Sequence, residues 1–185
     1  MDAPQSAPVG PSGSSGPSGS GEPVRHTCTV PTPDRMRELG RRLAGLLRAG
    51  DLVLLTGELG AGKTTLARGL GEGLGVRGDV TSPTFVIARV HPPLGDGPPL
   101  VHVDAYRLGG GLEEMEDLDL DVSLPESVVV VEWGEERVEE LSEDRLHVLI
   151  ERAPGAAGEP ADDVRTVTVV GVGPRWAGQR LSGLL

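Results

Sequence analysis

The residues with the clearest capacity for chemistry form one short run, Gly57-Glu58-Leu59-Gly60-Ala61-Gly62-Lys63-Thr64. This run matches the pattern G-x-x-x-x-G-K-[ST] at every fixed position. Glycines let such a loop curl so that successive amide N–H groups point at phosphate oxygens, and a following helix adds its positive N-terminal end. The loop residues Glu58, Gly60, Ala61 and Gly62 are therefore predicted to line a phosphate site.

The side chains after the glycines supply the charge and the hydroxyl groups that such a site needs. Lys63 is predicted to reach the terminal phosphates, Thr64 to place its hydroxyl on Mg²⁺, and Thr65 to add a phosphate contact. Lys63 is also the only lysine in a chain with 17 basic residues. Its presence where Arg is used everywhere else favours a role that a compact ammonium fills better than a guanidinium.

A phosphate loop also needs a carboxylate at the end of a neighbouring buried strand. Two acids qualify, Glu132 after the apolar run Val128–Val131 and Asp104 after another apolar stretch. Glu132 is predicted to bind Mg²⁺, and Asp104 to act on the attacking water or in the outer shell of the metal. Together with Lys63 they form the predicted catalytic set. His102 and His147 alternate with apolar residues and are predicted to be packed or surface histidines.

The elements around the loop have the order that a phosphate site requires. Residues 51–56 (DLVLLT) form a continuous apolar run, which is typical of a parallel strand buried on both faces. A helix is predicted from about Gly62, because leucines recur every fourth residue from Leu66 to Leu74, and Gly75 suits its C-terminal end. The local order is therefore strand, loop, helix.

The rest of the chain predicts one more helix and several strands. The helix has Thr32 as N-cap, followed by Pro33 and Asp34, and Gly50 as its C-terminal stop. Cys28 is predicted to be a small buried strand residue. The predicted strands are 26–30, 84–90, 100–105, 128–131, 145–150 and 164–170, of which 84–90 and 100–105 form a hairpin.

Composition sets the domain limits. The first 23 residues hold 5 Pro, 5 Gly and 6 Ser, so residues 1–23 are expected to be a disordered tail. The P-loop domain is predicted over 24–172, with a C-terminal tail over 173–185. No window approaches 18 consecutive apolar residues and no secretory signal is visible, so the protein is expected to be soluble and cytoplasmic, without membrane contact.

The net charge limits which partners the chain is expected to bind, and the lack of Asn limits which nucleotide it is expected to bind. A formal charge of −11 argues against general nucleic-acid binding, so any link to RNA is expected to be indirect. Residues 113–144 carry 14 of the 28 acidic side chains, which favours either a solvated helix face or a dock for a basic protein. The chain has no Asn and one Lys, which excludes the usual Asn-Lys-x-Asp guanine-reading loop, so ATP is favoured over GTP.

Four blocks in order resemble a known family, the bacterial TsaE (YjeE) ATPases of tRNA threonylcarbamoyladenosine biosynthesis. The blocks are GELGAGKTT at 57–65, TSPTF at 81–85, HVDAYRL at 102–108 and Glu132-Trp133. The resemblance implies an α/β fold with a P-loop NTPase-like sheet, flanking helices and added antiparallel strands. It also implies weak Mg²⁺-dependent ATP hydrolysis and action on a TsaB–TsaD protein complex.

The resemblance also implies roles for particular residues. It places Thr81–Thr84 on a switch-like segment near the terminal phosphate, with Thr84 among the nucleotide contacts. Asp104 falls on a catalytic acid and Trp133 beside the nucleotide. The N-terminal segment, at Thr32, Pro33 or Asp34, falls near the adenine.

Two other classes of function share the phosphate loop. A small-molecule kinase would also need an acceptor pocket and a lid rich in arginine, and only Arg107 and Arg137 lie near predicted strand ends. A nucleotide-switched binding module would use ATP only to set the shape of the loop at 81–85. Sequence alone does not separate this module from an ATPase.

Overall fold

The fold is taken from a computed structural model, which describes residues 22–81, 88–105, 123–133, 141–153 and 163–184. The strands are β1 (Val24–Val30), β2 (Leu52–Gly57), β3 (Ala88–His91), β4 (Leu100–Asp104), β5 (Val128–Glu132), β6 (Arg145–Arg152) and β7 (Arg165–Val172). The α-helices are α1 (Pro33–Ala44) and α2 (Lys63–Leu74), and a single 3-10 turn spans Leu124–Glu126. Within the described residues, none of the helices is long and apolar enough to cross a membrane.

Seven strands form one sheet in the order β1-β7-β6-β2-β5-β4-β3. The four central strands β6, β2, β5 and β4 run parallel to one another, whereas β7 and β1 on one side and β3 on the other are added in antiparallel pairings. The predicted α/β class with added antiparallel strands is confirmed. The predicted hairpin is also confirmed as the β3–β4 pair, although residues 84–87 of its first strand lie outside the described residues.

Hydrophobic residues divide between the two faces of the sheet according to strand parity. On one face, Leu100, Val128 and Val130 pack with the apolar sides of α1 and α2. On the other face, alternate residues such as Val101 and Val129 form a second cluster. The buried run of β2 supplies both clusters, which confirms the prediction of a strand buried on both sides.

Helix α1 begins as predicted but ends earlier. The N–H of Arg35 donates to Oγ1 of Thr32 at 3.2 Å, so Thr32 is the N-cap. The predicted stop at Gly50 is wrong, because α1 ends at Ala44 and the chain then makes a turn. Gly50 instead has a φ of 93° and donates its N–H to the carbonyl of Ser127, which leads the chain into β2.

The segment after β7 is packed against the sheet. Trp176, Leu181 and Leu184 are buried in the cluster that contains the two helices. A Cβ at Gly171 would lie 2.6 Å from Cβ of Trp176, so β7 has a glycine where the indole lies against it. Near the other end of the described chain, Cys28 lies in β1 as predicted but is only partly buried, and that burial raises the pKa of its thiol.

Candidate active site

The phosphate loop joins the end of β2 to the start of α2. Gly60 and Gly62 have φ values of 73° and 115°, in the left-handed region where side chains are disfavoured. Between them, the N–H of Ala61 donates to the carbonyl of Glu58 at 3.0 Å. Gly62 is the N-cap of α2 and has no side chain, so the first amides of the helix keep their capacity to donate to a ligand.

Lys63 is folded back onto the loop that carries it. It is buried, and Nζ donates to the carbonyl of Gly57 at 2.6 Å and to the carbonyl of Glu58 at 2.9 Å. Burial lowers the pKa of Lys63, and the negative charges of Glu132 and Asp104 act in the opposite direction. The single lysine of the chain therefore lies in the field of both predicted acids.

The two acids lie side by side at the carboxyl ends of adjacent parallel strands. Asp104 of β4 pairs in register with Glu132 of β5, and both side chains are buried. The carboxyl ends of parallel strands form the usual binding edge of an open α/β sheet. The structure thus brings together Lys63, Asp104 and Glu132, the three residues of the predicted catalytic set.

Two histidines make contacts that sequence reasoning did not assign. His102 is fully buried, and its Nε2 lies 2.9 Å from Oε1 of Glu132. Nε2 of His147 lies 2.8 Å from Oγ1 of Thr56, next to the loop. The alternation in residues 102–104 does indicate that His102 lies on the same face of its strand as the predicted site residue Asp104. The partner strand could not be identified from that alternation alone.

Trp133 follows Glu132 and covers the lysine. Nζ of Lys63 lies 4.0 Å from the centroid of the indole ring, a cation–π contact. Trp133 is 36% exposed and has a φ of 62°, which is uncommon for a residue with a side chain. The aromatic ring therefore forms one wall of the site, at a backbone position that carries strain.

A groove of about 180 Å³ runs from the loop to the start of α1. Its lining combines the end of the β1–α1 connection with the loop and with the start of β7: Thr32, Pro33, Met36, Gly60, Ala61, Gly62, Thr65, Asp163 and Arg165. Of the three N-terminal candidates, Thr32 and Pro33 line this groove, whereas Asp34 is exposed in the first turn of α1. The half-buried Thr64 opens the first turn of α2 beside Lys63.

Two arginines from the far end of the chain support the loop, and sequence reasoning missed both. Nη2 of Arg152 donates to the carbonyl of Leu59 at 3.2 Å, and Nε of Arg165 donates to the carbonyl of Ala61 at 3.1 Å. They lie on β6 and β7, about a hundred residues after the loop. No local pattern in the sequence indicates these contacts, because they depend on which strands are neighbours.

Several predicted features lie outside the described residues. These are Thr84 and most of the TSPTF block, residues 106–108 of the HVDAYRL block, Arg107, Arg137, most of the acidic stretch 113–144, and the tail up to residue 21. Thr81, at the start of the TSPTF block, is described, and its Oγ1 accepts a hydrogen bond from Nη1 of Arg89 at 3.1 Å.

The fold and the loop define a P-loop class of α/β protein, with the lysine, the helix start and two strand-end carboxylates in the arrangement of that class. Comparison with known proteins narrows the class. The family model described as "Threonylcarbamoyl adenosine biosynthesis protein TsaE" matches residues 30–158, more than half of the chain. The chain belongs to the TsaE family.

Individual relatives agree with the family model. The chain is 80% identical over 142 residues to the tRNA threonylcarbamoyladenosine biosynthesis protein TsaE of Streptomyces coelicolor, a match covering 77% of this chain and 94% of the relative. The protein of the same name from Bacillus subtilis is 38% identical over 146 residues, covering 78% of this chain and 84% of the relative. The crystal structure of YdiB from Bacillus subtilis superposes with a TM-score of 0.65 at 31% identity, covering 85% of this chain and 92% of that one.

Proposed function

We propose that the chain is a Mg²⁺-dependent ATPase that supports threonylcarbamoyladenosine modification of tRNA by acting on a TsaB–TsaD protein complex. The observation that carries the ATPase proposal is the position of Lys63, buried in a P-loop and in the field of Asp104 and Glu132. The pathway and the partner complex rest on family membership. We also place the protein in the cytoplasm, with only indirect contact to tRNA.

The donor set around the loop fits Mg²⁺. Thr64 and Glu132 offer a hydroxyl and a carboxylate, which are hard oxygen ligands. Among the described residues, no group of three or more His, Cys, Asp or Glu forms a complete protein cage for a metal. Mg²⁺ usually keeps several waters and shares substrate phosphates, so one or two protein ligands suffice to hold it. When bound, the metal would neutralise charge on the transferring phosphoryl group.

The loop amides and Lys63 would bind the phosphates of the nucleotide. The amides of Glu58, Gly60 and Gly62, with those of Thr64 and Thr65, would cradle the phosphates, and the N–H of Ala61 would join them by giving up its bond to the carbonyl of Glu58. Lys63 would exchange its two carbonyl partners for phosphate oxygens, which are stronger acceptors for an ammonium.

Asp104 would orient the attacking water, and Trp133 would border the nucleotide. Thr84 stays a predicted sensor of the terminal phosphate, and Asp34 a predicted contact near the nucleoside. We favour ATP over GTP, because a chain with no Asn and one committed Lys lacks the usual guanine-reading device.

The experiment measures ATP binding and ATP hydrolysis by the full chain, alone and mixed with TsaB and TsaD from the same source, with GTP as the control nucleotide. A slow rate that the partners raise supports the complete proposal. ATP binding without stimulation by the partners would favour a kinase or a nucleotide-switched module. No ATP binding would overturn the phosphate site itself.

Variants of the site sharpen this result. Lys63→Ala is expected to weaken ATP binding by about 10- to 100-fold, because a charge-assisted hydrogen bond contributes about 1.5–3 kcal/mol. Arg42→Ala is the control and should bind ATP normally, because Arg42 lies on the exposed side of α1 and pairs with Glu38. Glu132→Ala should retain nucleotide binding and lose Mg²⁺-dependent turnover. Normal turnover in Glu132→Ala would move the metal role to Asp104.

A further inference from the structure

On β4 and β5, the helix-facing side of the sheet carries three buried polar side chains among residues that otherwise pack. Along β4 this face presents Leu100, His102 and Asp104, and along the neighbouring β5 it presents Val128, Val130 and Glu132. The two acids stand at the strand ends, where a ligand would approach. His102 lies one step deeper, and its side chain has no exposed surface.

The contact between His102 and Glu132 indicates which ring nitrogen of His102 and which carboxylate oxygen of Glu132 take part in the hydrogen bond. Nε2 of His102 lies 2.9 Å from Oε1 of Glu132. As a ligand for Mg²⁺, Glu132 is a carboxylate, which only accepts hydrogen bonds, so under the proposed function Nε2 of His102 is the donor. Nδ1 of His102 is buried and has no hydrogen-bond partner among the described residues. A side chain needed only for packing would be apolar there, as Val101 and Val103 are on the opposite face.

We infer that His102 is a positioning residue that holds the carboxylate of Glu132 in the orientation its function needs. The inference rests on the proposed function, in which Glu132 serves Mg²⁺ or the water bound to it. The hydrogen bond commits Oε1 to His102 and restricts rotation of the carboxylate, so Oε2 is the oxygen left for the metal side. In metal sites, partners of this kind orient the ligand, and removing them typically weakens metal binding or activity by about 10- to 100-fold.

Substitutions at His102 distinguish the loss of its hydrogen bond to Glu132 from the loss of its packing in the core. The amide nitrogen of Gln reaches about as far from the backbone as Nε2 of His, whereas that of Asn reaches only as far as Nδ1. His102→Leu fills the space without any donor. His91 is the matched control, because it is also buried, on the adjacent strand β3, and its Nε2 has no hydrogen-bond partner within the part of the chain that the structure describes.

Three quantities are measured on the full chain. They are kcat for ATP hydrolysis, the Mg²⁺ concentration at which the Mg²⁺-dependent increase in ATP affinity is half complete, and the ATP affinity in EDTA. We expect His102→Asn and His102→Leu to lower kcat and raise the required Mg²⁺ by about tenfold or more, with ATP affinity in EDTA unchanged. His102→Gln should recover most of both losses. His91→Gln should resemble the wild type in all three quantities.

The outcomes distinguish this inference from the proposed function. If the wild-type chain shows neither Mg²⁺-dependent binding nor turnover of ATP, the proposed function fails, and the inference fails with it. If the wild type shows both, but His102→Asn or His102→Leu needs no more Mg²⁺ than wild type, the positioning role is refuted while the ATPase stands. Equal losses in the Gln, Asn and Leu variants would assign His102 to packing alone. If either His102→Asn or His102→Leu prevents folding, the comparison of the other of these two variants with His102→Gln decides.

Discussion

Replacing Gly40 with alanine should separate the two helices that flank the phosphate loop. Gly40 lies in α1 where it crosses α2, and a Cβ there would stand 2.9 Å from both Cα and the carbonyl carbon of Gly69. The carbonyl oxygen of Leu66 lies closer still. Ordinary van der Waals contact starts at 3.4 Å, so the helices must move apart by at least the difference between 2.9 and 3.4 Å. The obstructing atoms are backbone, which cannot rotate away.

The expected change in the free energy of unfolding is the difference between a stabilising contribution from helix propensity and a destabilising contribution from overpacking. Alanine stabilises a helix by about 1 kcal/mol relative to glycine. Overpacking costs about 1–3 kcal/mol, and a backbone obstruction belongs at the upper end. The net loss for Gly40→Ala is therefore about 2 kcal/mol. At about 2–4 °C per kcal/mol for a chain of this size, Tm should fall by about 4–8 °C.

The assay is thermal unfolding followed by circular dichroism, with Gly95→Ala as the control. A Cβ at Gly95 would meet nothing within 4 Å, so that variant should melt within about 1 °C of wild type. The sign of the Gly40 result is decisive. If the helices did not touch through this glycine, helix propensity alone would raise Tm by about 2–4 °C. A Tm equal to or above wild type in Gly40→Ala would refute the close helix contact.

Three other predictions follow from single contacts. Arg175→Met should lower the free energy of unfolding by about 3–5 kcal/mol, because it leaves Asp51 buried without its ion pair. Adding Asp51→Asn should recover part of that loss. A double variant that is no more stable than Arg175→Met would contradict this prediction. Burial lowers the pKa of His91 from 6.5, so the unfolded chain binds the proton first and stability falls as pH drops below 6.5. His91→Gln should make the decrease in Tm between about pH 7.5 and about pH 5.5 smaller, and an unchanged decrease would contradict it. ATP should change the emission of Trp133, which is stacked on Lys63, and the signal should vanish in Trp133→Phe but persist in Trp176→Phe.

Local patterns in the sequence predicted the elements and the loop, because each has a short-range cause. The period of two in β6, the N-cap Thr32 and the apolar run of β2 depend on residues within a few positions of each other. The end of α1 was mispredicted for a related reason. Leu46 and Leu47 keep the helical spacing of the apolar face, but they lie in a turn, where their N–H groups bond to carbonyls three residues back.

The contacts that were missed all depend on which strands are neighbours. Arg152 and Arg165 reach the loop only because β6 lies beside β2 and β7 lies beside β6. His102 meets Glu132 only because β4 and β5 pair in a particular register. Periodicity indicates which face a residue occupies, but it does not indicate the strand or the register opposite that face.

The charges of the site explain why a buried lysine and two buried acids belong together and why the proposed metal follows from them. Burial alone disfavours the charged form of Lys63, whereas the charges of Asp104 and Glu132 favour it. Under the proposed function, Lys63 exchanges its two carbonyl partners for phosphate oxygens. Its single positive charge would then be shared between a polyanion and two adjacent buried carboxylates, which is too little to offset their repulsion. A divalent cation between Glu132 and the phosphates removes that repulsion, so nucleotide binding and Mg²⁺ binding are expected to be coupled in this chain.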